Sequence, residues 1–221
     1  MIINFIIQCR MTSNRFPGKV LAPLLGKPLL DHVIEQIKKT QVYSSIILAT
    51  SNDKADDPLA NYAKNIGLEV VRGSRDNVVE RYALTLEKHS CDAFFRICGD
   101  SPLLPTYLLN HAVSIYKKKP YDIITNVFPR SYPQGMSVEL IKTETFLKIH
   151  NKVTSQDEKE HISKYFYRKF NDFKIKNIEC ASSEGINFKL AVDELSDLKN
   201  IEKWLLSNKE ENEKLFPIKF D

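Results

Sequence analysis

The stretch Gln8-Cys9-Arg10-Met11-Thr12-Ser13-Asn14-Arg15-Phe16-Pro17-Gly18-Lys19 directly follows an apolar run at residues 2–7. The run predicts a buried strand, and Pro17-Gly18 predicts a tight turn within the polar stretch. Three cations, Arg10, Arg15 and Lys19, fall within ten positions. A buried strand that leads into a basic loop is typical of a phosphate site at the carboxyl edge of an open α/β sheet. A solvated basic loop is the alternative that these residues alone leave open.

Strand and helix patterns alternate after this loop. Further apolar, strand-like runs stand at residues 46–49, 68–71, 93–98 and 121–125. Amphipathic patterns between them predict helices at about residues 29–39, 56–66 and 106–116, and one more that Asp76 would cap. Such an order predicts an α/β fold with a mostly parallel sheet and right-handed crossovers.

The alternation breaks at about residue 126, where a turn-rich, aromatic stretch begins. We predict strands at residues 137–141, 173–178 and 188–192, the last of them ending at Asp193. A capping box, Ser155-x-x-Glu158, predicts the start of a helix with Ile162, Phe166 and Phe170 on one face. A last helix is predicted at residues 195–206. We therefore expect a single domain over residues 1–221, with a smaller lobe at about residues 126–180.

Composition limits the possible classes of function. The chain has 221 residues, 43% of them hydrophobic, which is enough for a substantial core. A net charge of +4 suits a small anionic substrate and does not demand nucleic acid. The four cysteines form no CxxC pair, and no stretch approaches the length of a membrane span. The first apolar run is too short for a signal peptide, so we expect a cytoplasmic protein with reduced thiols.

The basic loop resembles the signature loop of the cytidylyltransferases that activate acidic sugars, and most of all that of the spore-coat-polysaccharide type. The 3-deoxy-manno-octulosonate and acylneuraminate enzymes belong to the same superfamily. Cys9, Asn14 and Phe16 stand where Ala, Thr and Leu are usual, but none of these departures removes a charge. Further matching motifs follow in the same order over about nine-tenths of the chain: Gly26-Lys27-Pro28, Ala49-Thr50-Ser51, Arg72-Gly73-Ser74, Arg96-Ile97-Cys98-Gly99-Asp100-Ser101-Pro102-Leu103, Glu160-His161 and Val192-Asp193.

This resemblance implies a Rossmann-like nucleotidyltransferase (GT-A-like) fold and transfer of CMP from CTP, with release of pyrophosphate. Arg10 and Lys19 would hold the triphosphate, and together with Asp100 they are the predicted catalytic residues. For several of the nucleotide-site candidates, helix capping or an ordinary surface position is the alternative. The predicted nucleotide-binding residues are Arg10, Ser13, Asn14, Arg15, Lys19, Thr50, Ser51, Arg72 and Ser74. Arg81 is a further cation for which both interpretations stay open.

Asp100 and Asp193 are the predicted ligands of one Mg²⁺ ion. Each follows an apolar, strand-like run, and carboxyl ends of strands face the ligand crevice of an open sheet. Two carboxylates, phosphate oxygens and water suit an ion that prefers oxygen ligands. The resemblance places metal-binding aspartates at both positions, although Glu194 replaces the usual Thr-Pro after the second. From the residues alone, each aspartate has helix capping as its alternative.

The acceptor, an acidic sugar or a sugar or polyol phosphate, is expected to bind through the irregular second half. For His161 the alternative is an ordinary position on a helix face. We also expect a homodimer through residues 126–170, because Tyr132, Tyr165 and Tyr167 have the pattern of exposed aromatics and members of the family commonly pair there. The candidate acceptor-binding residues are Arg130, Tyr132, Gln134, Glu139 and His161.

Three other functions compete with this one. A glycosyltransferase usually carries an Asp-x-Asp motif after a strand, whereas Gly99-Asp100-Ser101-Pro102 has one aspartate. Guanylyl and uridylyl transferases usually have paired glycines at the start of the loop, which Gln8-Cys9-Arg10 lacks. A non-catalytic nucleotide-binding module would not need both aspartates and Lys19. Cys98 and Ser101 have no histidine near them in sequence, so a covalent nucleophile is disfavoured.

Overall fold

The computed structural model describes residues 1–40, 42–182, 187–207 and 216–219. A seven-stranded sheet with the order β5-β4-β1-β6-β8-β7-β9 is the centre of the molecule. Its strands are β1 (Ile3–Gln8), β4 (Ser45–Ser51), β5 (Glu69–Gly73), β6 (Ala93–Cys98), β7 (Ile123–Thr125), β8 (Glu139–Lys142) and β9 (Ile175–Asn177). A small hairpin of β2 (Pro23–Leu24) and β3 (Lys27–Pro28) lies outside the sheet.

The predicted mostly parallel sheet is confirmed. Strands β5, β4, β1 and β6 pair in parallel, while β8 lies antiparallel between β6 and β7. Strand β9 then pairs in parallel with β7. Both strands from the predicted smaller lobe, β8 and β9, therefore belong to the central sheet. The single-domain boundary and the extent of the lobe stay predictions.

Helices cover both faces of the sheet, which is why the central strands are apolar on both sides. On one face, Ile7 and Phe95 pack with the core of α1 (Leu29–Lys38), α2 (Asp57–Asn65), α4 (Thr106–Lys118) and α8 (Leu195–Ser207). On the other face, Ile6 and Phe94 pack with α3 (Val78–Lys88), α5 (Thr143–Ile149) and α7 (Lys164–Arg168). Successive residues of β1 and β6 thus point to opposite faces.

Three local predictions were wrong. The cap of α3 is Asn77, whose side chain accepts from Glu80 N, and not Asp76. Ser155 caps α6 (Gln156–Glu160) by accepting from Glu158 N, but the Glu158 carboxylate bonds the Ser155 hydroxyl and not its N–H, the helix ends before α7, and Phe170 is half-exposed. Residues 188–192 form no strand with the described part of the chain, where their one ladder contact is an isolated bridge between Lys189 and Gln134.

Candidate active site

The carboxyl ends of β1 and β6 form the floor of a cavity of about 570 Å³. Gly99 N donates to Gln8 O at 3.1 Å, so the chain segments leaving the two strands lie against each other. A Cβ atom on Gly99 would lie 2.7 Å from the Cβ of Cys9, and only glycine permits this approach. Around the floor stand six basic and four acidic residues: Arg10, Arg15, Lys19, Arg75, Arg81, Arg96, Asp76, Asp100, Glu160 and Asp193.

The basic loop is closed on itself and fixed to the neighbouring strand. Gly18, in the left-handed region at φ 73°, donates from its N–H to Met11 O at 2.8 Å. Met11 N donates to the fully buried carboxylate of Asp56 at 2.6 Å. The same carboxylate accepts from the N–H and hydroxyl of Ser51 at the end of β4. Because its ends are fixed, the loop holds Ser13, Asn14 and Arg15 on the cavity wall.

Lys19 is the electrostatic centre of the cavity. Its side chain is 11% exposed, and Nζ donates to Asp100 Oδ2 at 2.7 Å and to Val192 O at 2.6 Å. Asp193 Oδ1 lies 3.4 Å from the same nitrogen. The two aspartates, predicted from distant parts of the sequence, therefore converge on one cation. Asp100 and Asp193 thus lie beside the same ammonium group, and their sharing of one metal ion stays a prediction.

Asp193 reaches this position without a strand before it. Val192 N donates to Asp100 O at 2.9 Å, and Leu190 N donates to Gln134 O at 2.7 Å, so residues 189–193 lie as an extended segment across the end of β6. Gly135 (φ 99°) supports that segment, because a Cβ atom there would lie 2.3 Å from the carbonyl of Leu190. We call residues 189–193 the crossing segment.

Basic neighbours surround the Asp193 carboxylate. Lys189 Nζ lies 3.1 Å from Oδ2, and Arg15 lies 3.0 Å from Oδ1. Burial alone would raise the pKa of Asp193, but the hydrogen bond from Lys189 and the charges of Lys19, Lys189 and Arg15 outweigh it and lower the pKa. Asp197 accepts from the N–H of Asp193 at 2.9 Å and so fixes its backbone at the start of α8. Asp193 is therefore an anion at neutral pH.

Arg10 lies at the other end of the basic loop from Lys19, and its side chain joins the loop to Arg75 and Glu160. Its Nη1 donates to Arg75 O at 2.9 Å, and its Nη2 lies 3.9 Å from Glu160. Arg81 donates to the same carbonyl at 3.1 Å. Burial, and then the like charge of Arg10, lower the pKa of Arg81. These guanidinium groups make this end of the cavity electropositive.

Four of the predicted nucleotide-binding residues do not line the cavity. Thr50 and Ser51 are fully buried, and the Ser51 hydroxyl is engaged by Asp56. Arg72 donates to Ser51 O, to Asp53 O and to the Asp57 carboxylate, so it joins β5 to the start of α2. Ser74 accepts from Asn77 N at the start of α3. In this structure the side chains of Ser51, Arg72 and Ser74 make local structural contacts, and Thr50 is buried away from the cavity.

Of the predicted acceptor residues, only His161 lines the cavity. Tyr132 is completely buried, with its hydroxyl donating to Glu179 O at 3.2 Å, so it has no free surface for an acceptor or a second subunit. Arg130 donates to Ser137 Oγ and to nearby carbonyls, and Gln134 anchors the crossing segment. Glu139 is 2% exposed and lies behind the cavity wall.

Two thiols line the cavity beside the predicted site residues. Cys9 and Cys98 both line it. Burial, and then the charges of Asp100 and Asp56, raise the pKa of Cys9. Burial raises the pKa of Cys98 to about 11. Both are protonated at neutral pH, which agrees with the expectation that no cysteine acts as a nucleophile.

The sequence prediction missed Arg75, Arg96 and Glu160, and it left Arg81 open. Arg96 is the one charged residue of the otherwise apolar strand Ala93–Cys98, and Arg81 falls on the buried stripe of α3 with Val78 and Tyr82. A charged residue at a position that the pattern assigns to the core was the available signal in both cases.

This fold, with its basic loop and two aspartates at the carboxyl edge of parallel strands, is that of the Rossmann-like nucleotidyltransferases. Within that class the chain belongs to the cytidylyltransferase family, whose model matches residues 4–216. An uncharacterized protein of Methanocaldococcus jannaschii is 30% identical over 202 residues, which are 90% of this chain and 81% of that protein. The spore coat polysaccharide biosynthesis protein SpsF of Bacillus subtilis is 27% identical over 207 residues, 90% of this chain and 84% of its own length.

Solved structures agree with this assignment. A cytidylyltransferase from Leptospira borgpetersenii superposes with a TM-score of 0.87 at 25% identity, over 94% of this chain and 87% of that one. A CMP:2-keto-3-deoxy-manno-octonic acid synthetase, solved with CTP, gives 0.71 at 15% identity over 94% and 99% of the two chains. A Mycobacterium tuberculosis protein solved with manganese gives 0.61 at 13% identity over 92% and 99%. The last two show a shared fold.

Proposed function

We propose that this protein transfers CMP from CTP to an acidic sugar, or to a sugar or polyol phosphate, and releases pyrophosphate. The product would be a CMP- or CDP-linked precursor for surface glycan synthesis in the cytoplasm. One observation carries the proposal: Lys19, Asp100 and Asp193 converge beneath a basic loop whose ends are fixed. Rigid cations suit a triphosphate, and membership of the cytidylyltransferase family favours CTP.

A divalent ion, Mg²⁺ in this proposal, fits the residues present. Asp100 and Asp193 offer hard oxygen donors on one side of the cavity, and a cationic group, the ammonium of Lys19, already lies between them. Among the described residues no cluster of three or more His, Cys, Asp or Glu side chains surrounds a point, so the remaining ligands would be phosphate oxygens and water. When bound, the ion would offset the charge that develops on the phosphates.

The residues of the chain supply positioning and charge. The acceptor oxygen forms a bond to the α-phosphorus of CTP, and pyrophosphate leaves with the electrons of the broken P–O bond. Lys19 and Arg10 contact phosphate oxygens, and the fixed ammonium group of Lys19 stabilises the negative charge that develops on the leaving group. Burial, and then the charge of Lys164, lower the pKa of His161, so its ring is neutral at pH 7 and can take the proton of a hydroxyl acceptor.

A pyrophosphate-release assay tests this function. CTP, UTP, GTP and ATP are each supplied with a panel of acidic sugars and sugar phosphates, with Mg²⁺ and after chelation. We expect release with CTP, loss on chelation and steep loss in Asp193→Asn with only a small fall in melting temperature from the lost ion pairs. Lys189→Met is the control, because it removes an ion pair of Asp193 but keeps the Asp193 carboxylate. No release with CTP and any acceptor would exclude the activity, and full activity of Asp193→Asn would remove that residue from the metal site.

A homodimer remains part of the proposal, but its original reason does not hold. Tyr132 and Tyr165 are buried, and Tyr167 donates from its hydroxyl to Glu139, so these tyrosines do not form an exposed aromatic surface. The dimer now depends on the family resemblance alone, and light scattering measures it directly.

Within the described ranges, no helix has the length and apolar character needed to cross a lipid bilayer.

A further inference from the structure

Arg96 is a charged residue in the middle of the sheet. Its neighbours along β6, Phe95 and Ile97, are at most 1% exposed, whereas its own side chain is 14% exposed and lines the cavity. Placing a guanidinium group in a central strand costs desolvation free energy unless the charge is paired. Such a position requires an explanation beyond strand formation.

Two partners hold this guanidinium group, the buried Glu139 and the half-buried Gln8, which also lines the cavity. Arg96 Nη1 donates to Glu139 Oε2 at 2.9 Å, and Nε lies 3.3 Å from Gln8 Oε1. Among the described residues, Nη2 has no hydrogen-bond partner. The side of the guanidinium group that carries Nη2 is thus left free for a ligand in the cavity.

Glu139 is itself fixed from behind. Its Oε1 accepts from the hydroxyl of Tyr167 at 2.5 Å, and the oxygen of that hydroxyl lies 2.9 Å from Thr125 Oγ1. Burial, and then the charge of Glu139, raise the pKa of Tyr167 well above its ordinary value, so the tyrosine keeps the proton that it donates. The ring of Tyr167 stacks on Phe128 with centroids 4.7 Å apart. Glu139, Tyr167, Thr125 and Phe128 therefore form one connected set of side chains behind Arg96.

Arg96 lies on the opposite sheet face from the helices that support Lys19. Residues 94 and 96 share a face in a strand, and Phe94 packs with α3, α5 and α7. Val20, next to Lys19, packs with the core of α1 and α4 on the other face. The charge of Arg96 also acts on His161, the predicted acceptor residue. Arg96 and His161 thus both line the cavity on the side of α3, on the other sheet face from Val20.

We propose that Arg96 is a specificity-determining residue that binds an anionic oxygen of the acceptor, with Glu139 and Tyr167 as its positioning residues. This inference rests on the proposed function, because it names a residue for the acceptor of that reaction. Glu139 already balances one positive charge, so the site suits a singly charged carboxylate better than a doubly charged phosphate. Glu139 thus acts through Arg96 and does not contact the substrate.

The experiment measures binding and turnover in Arg96→Lys. Lysine keeps a charge for Glu139 but loses the planar group with several donors, so folding is preserved and recognition is not. Probes are 3-deoxy-manno-octulosonate and N-acetylneuraminate for the carboxylate, and glycerol 3-phosphate for the phosphate. We expect the acceptor KM to rise about tenfold, as for loss of one charged hydrogen bond, while the CTP KM stays within about twofold. Arg168→Lys, in the Arg168–Glu158 pair outside the cavity, is the matched control.

Two further variants test the positioning role. Tyr167→Phe should raise the acceptor KM several-fold at unchanged CTP affinity, and Glu139→Gln should shift preference from the carboxylate probes toward glycerol 3-phosphate. An equal rise of both KM values in Arg96→Lys, or no change in either, would overturn the proposal, as would wild-type preference for the phosphate. CTP binding is measured first by calorimetry. Its absence would refute the proposed function, whereas intact CTP binding with an unchanged acceptor KM in Arg96→Lys would refute this inference alone.

Discussion

Lys19 shows how a residue identified in a linear motif takes its meaning from contacts that the sequence does not display. The motif indicated a phosphate-binding cation, but the structure surrounds its nitrogen with Asp100, Asp193 and the carbonyl of Val192. Three acceptors fix the ammonium group at one point of the cavity. The sequence was enough to identify Lys19 and both aspartates, because the motifs and their order can be recognised without a structure. It could not show that Lys19 lies between the two carboxylates.

Replacing Lys19 by methionine keeps the length of the side chain and removes its charge. We expect CTP affinity to fall roughly ten- to a hundredfold, the effect of losing a hydrogen bond to a charged group. Isothermal titration calorimetry measures the change. Lys27→Met is the control, because Lys27 is exposed and pairs with Glu35 away from the cavity. Equal CTP affinity in both variants would exclude Lys19 from the phosphate site.

His161 gives a prediction about pH. Its pKa is lowered, first by burial and then by the charge of Lys164, against opposing effects of Glu160 and Asp157. Below its ordinary pKa near 6.5 the unfolded chain therefore binds a proton that the folded chain does not, so stability falls on acidification. Glutamine stays neutral, so the melting temperature of His161→Gln should fall less than that of the wild type between about pH 7.5 and pH 5.5. An identical loss in both proteins would contradict the lowered pKa.

Among the secondary-structure elements, the crossing segment differs most from its prediction. Residues 188–192 alternate and are apolar enough for a strand, but strand formation needs a neighbour with free ladder groups. Among the described residues, the segment finds such groups only at two points: at Gln134, which forms the bridge with Lys189, and at Asp100, which accepts from Val192 N. Strands such as Ala93–Cys98, buried on both faces, were predicted with their observed bounds. The two segments differ in the strands available to pair with them, and this depends on tertiary structure that a local sequence pattern does not encode.

Gly135 tests the role of this segment. In Gly135→Ala the new Cβ atom would meet the Leu190 carbonyl at 2.3 Å, so the segment and Asp193 must move. Gly67→Ala is the matched control, since Gly67 also has positive φ (81°) but open space around its Cβ position. We expect Gly67→Ala to cost about 1–2 kcal/mol of unfolding free energy at full turnover. Gly135→Ala should cost more and also reduce turnover, as measured by denaturant unfolding and pyrophosphate release.

If the two alanine variants lose equal stability and both keep full turnover, the contact between Gly135 and Leu190 has no role in placing Asp193. The comparison is informative because backbone strain is common to both variants, whereas displacement of the crossing segment occurs in one of them.

For the whole molecule, the strand order could be predicted only in part. Alternating elements indicated a parallel sheet, and β1, β4, β5 and β6 confirm it. The sequence did not reveal that β8 would insert between β6 and β7 in the opposite direction, since pairing of distant strands depends on the assembled sheet. The insertion matters for function. It brings Glu139 beside Arg96, and so joins the second half of the chain to the floor of the cavity.

The sheet order also predicts how the molecule unfolds. Strand β8 fills the position between β6 and β7, so residues 126–180 cannot leave without exposing the edge of β6 and the apolar side chains of Phe94 and Ile141. We therefore expect one cooperative transition, with equal calorimetric and van't Hoff enthalpies in differential scanning calorimetry. Circular dichroism and the fluorescence of the single tryptophan, Trp204 in α8, should report the same midpoint. Two separated transitions would mean that the smaller lobe folds by itself, and the single-domain prediction would then be wrong.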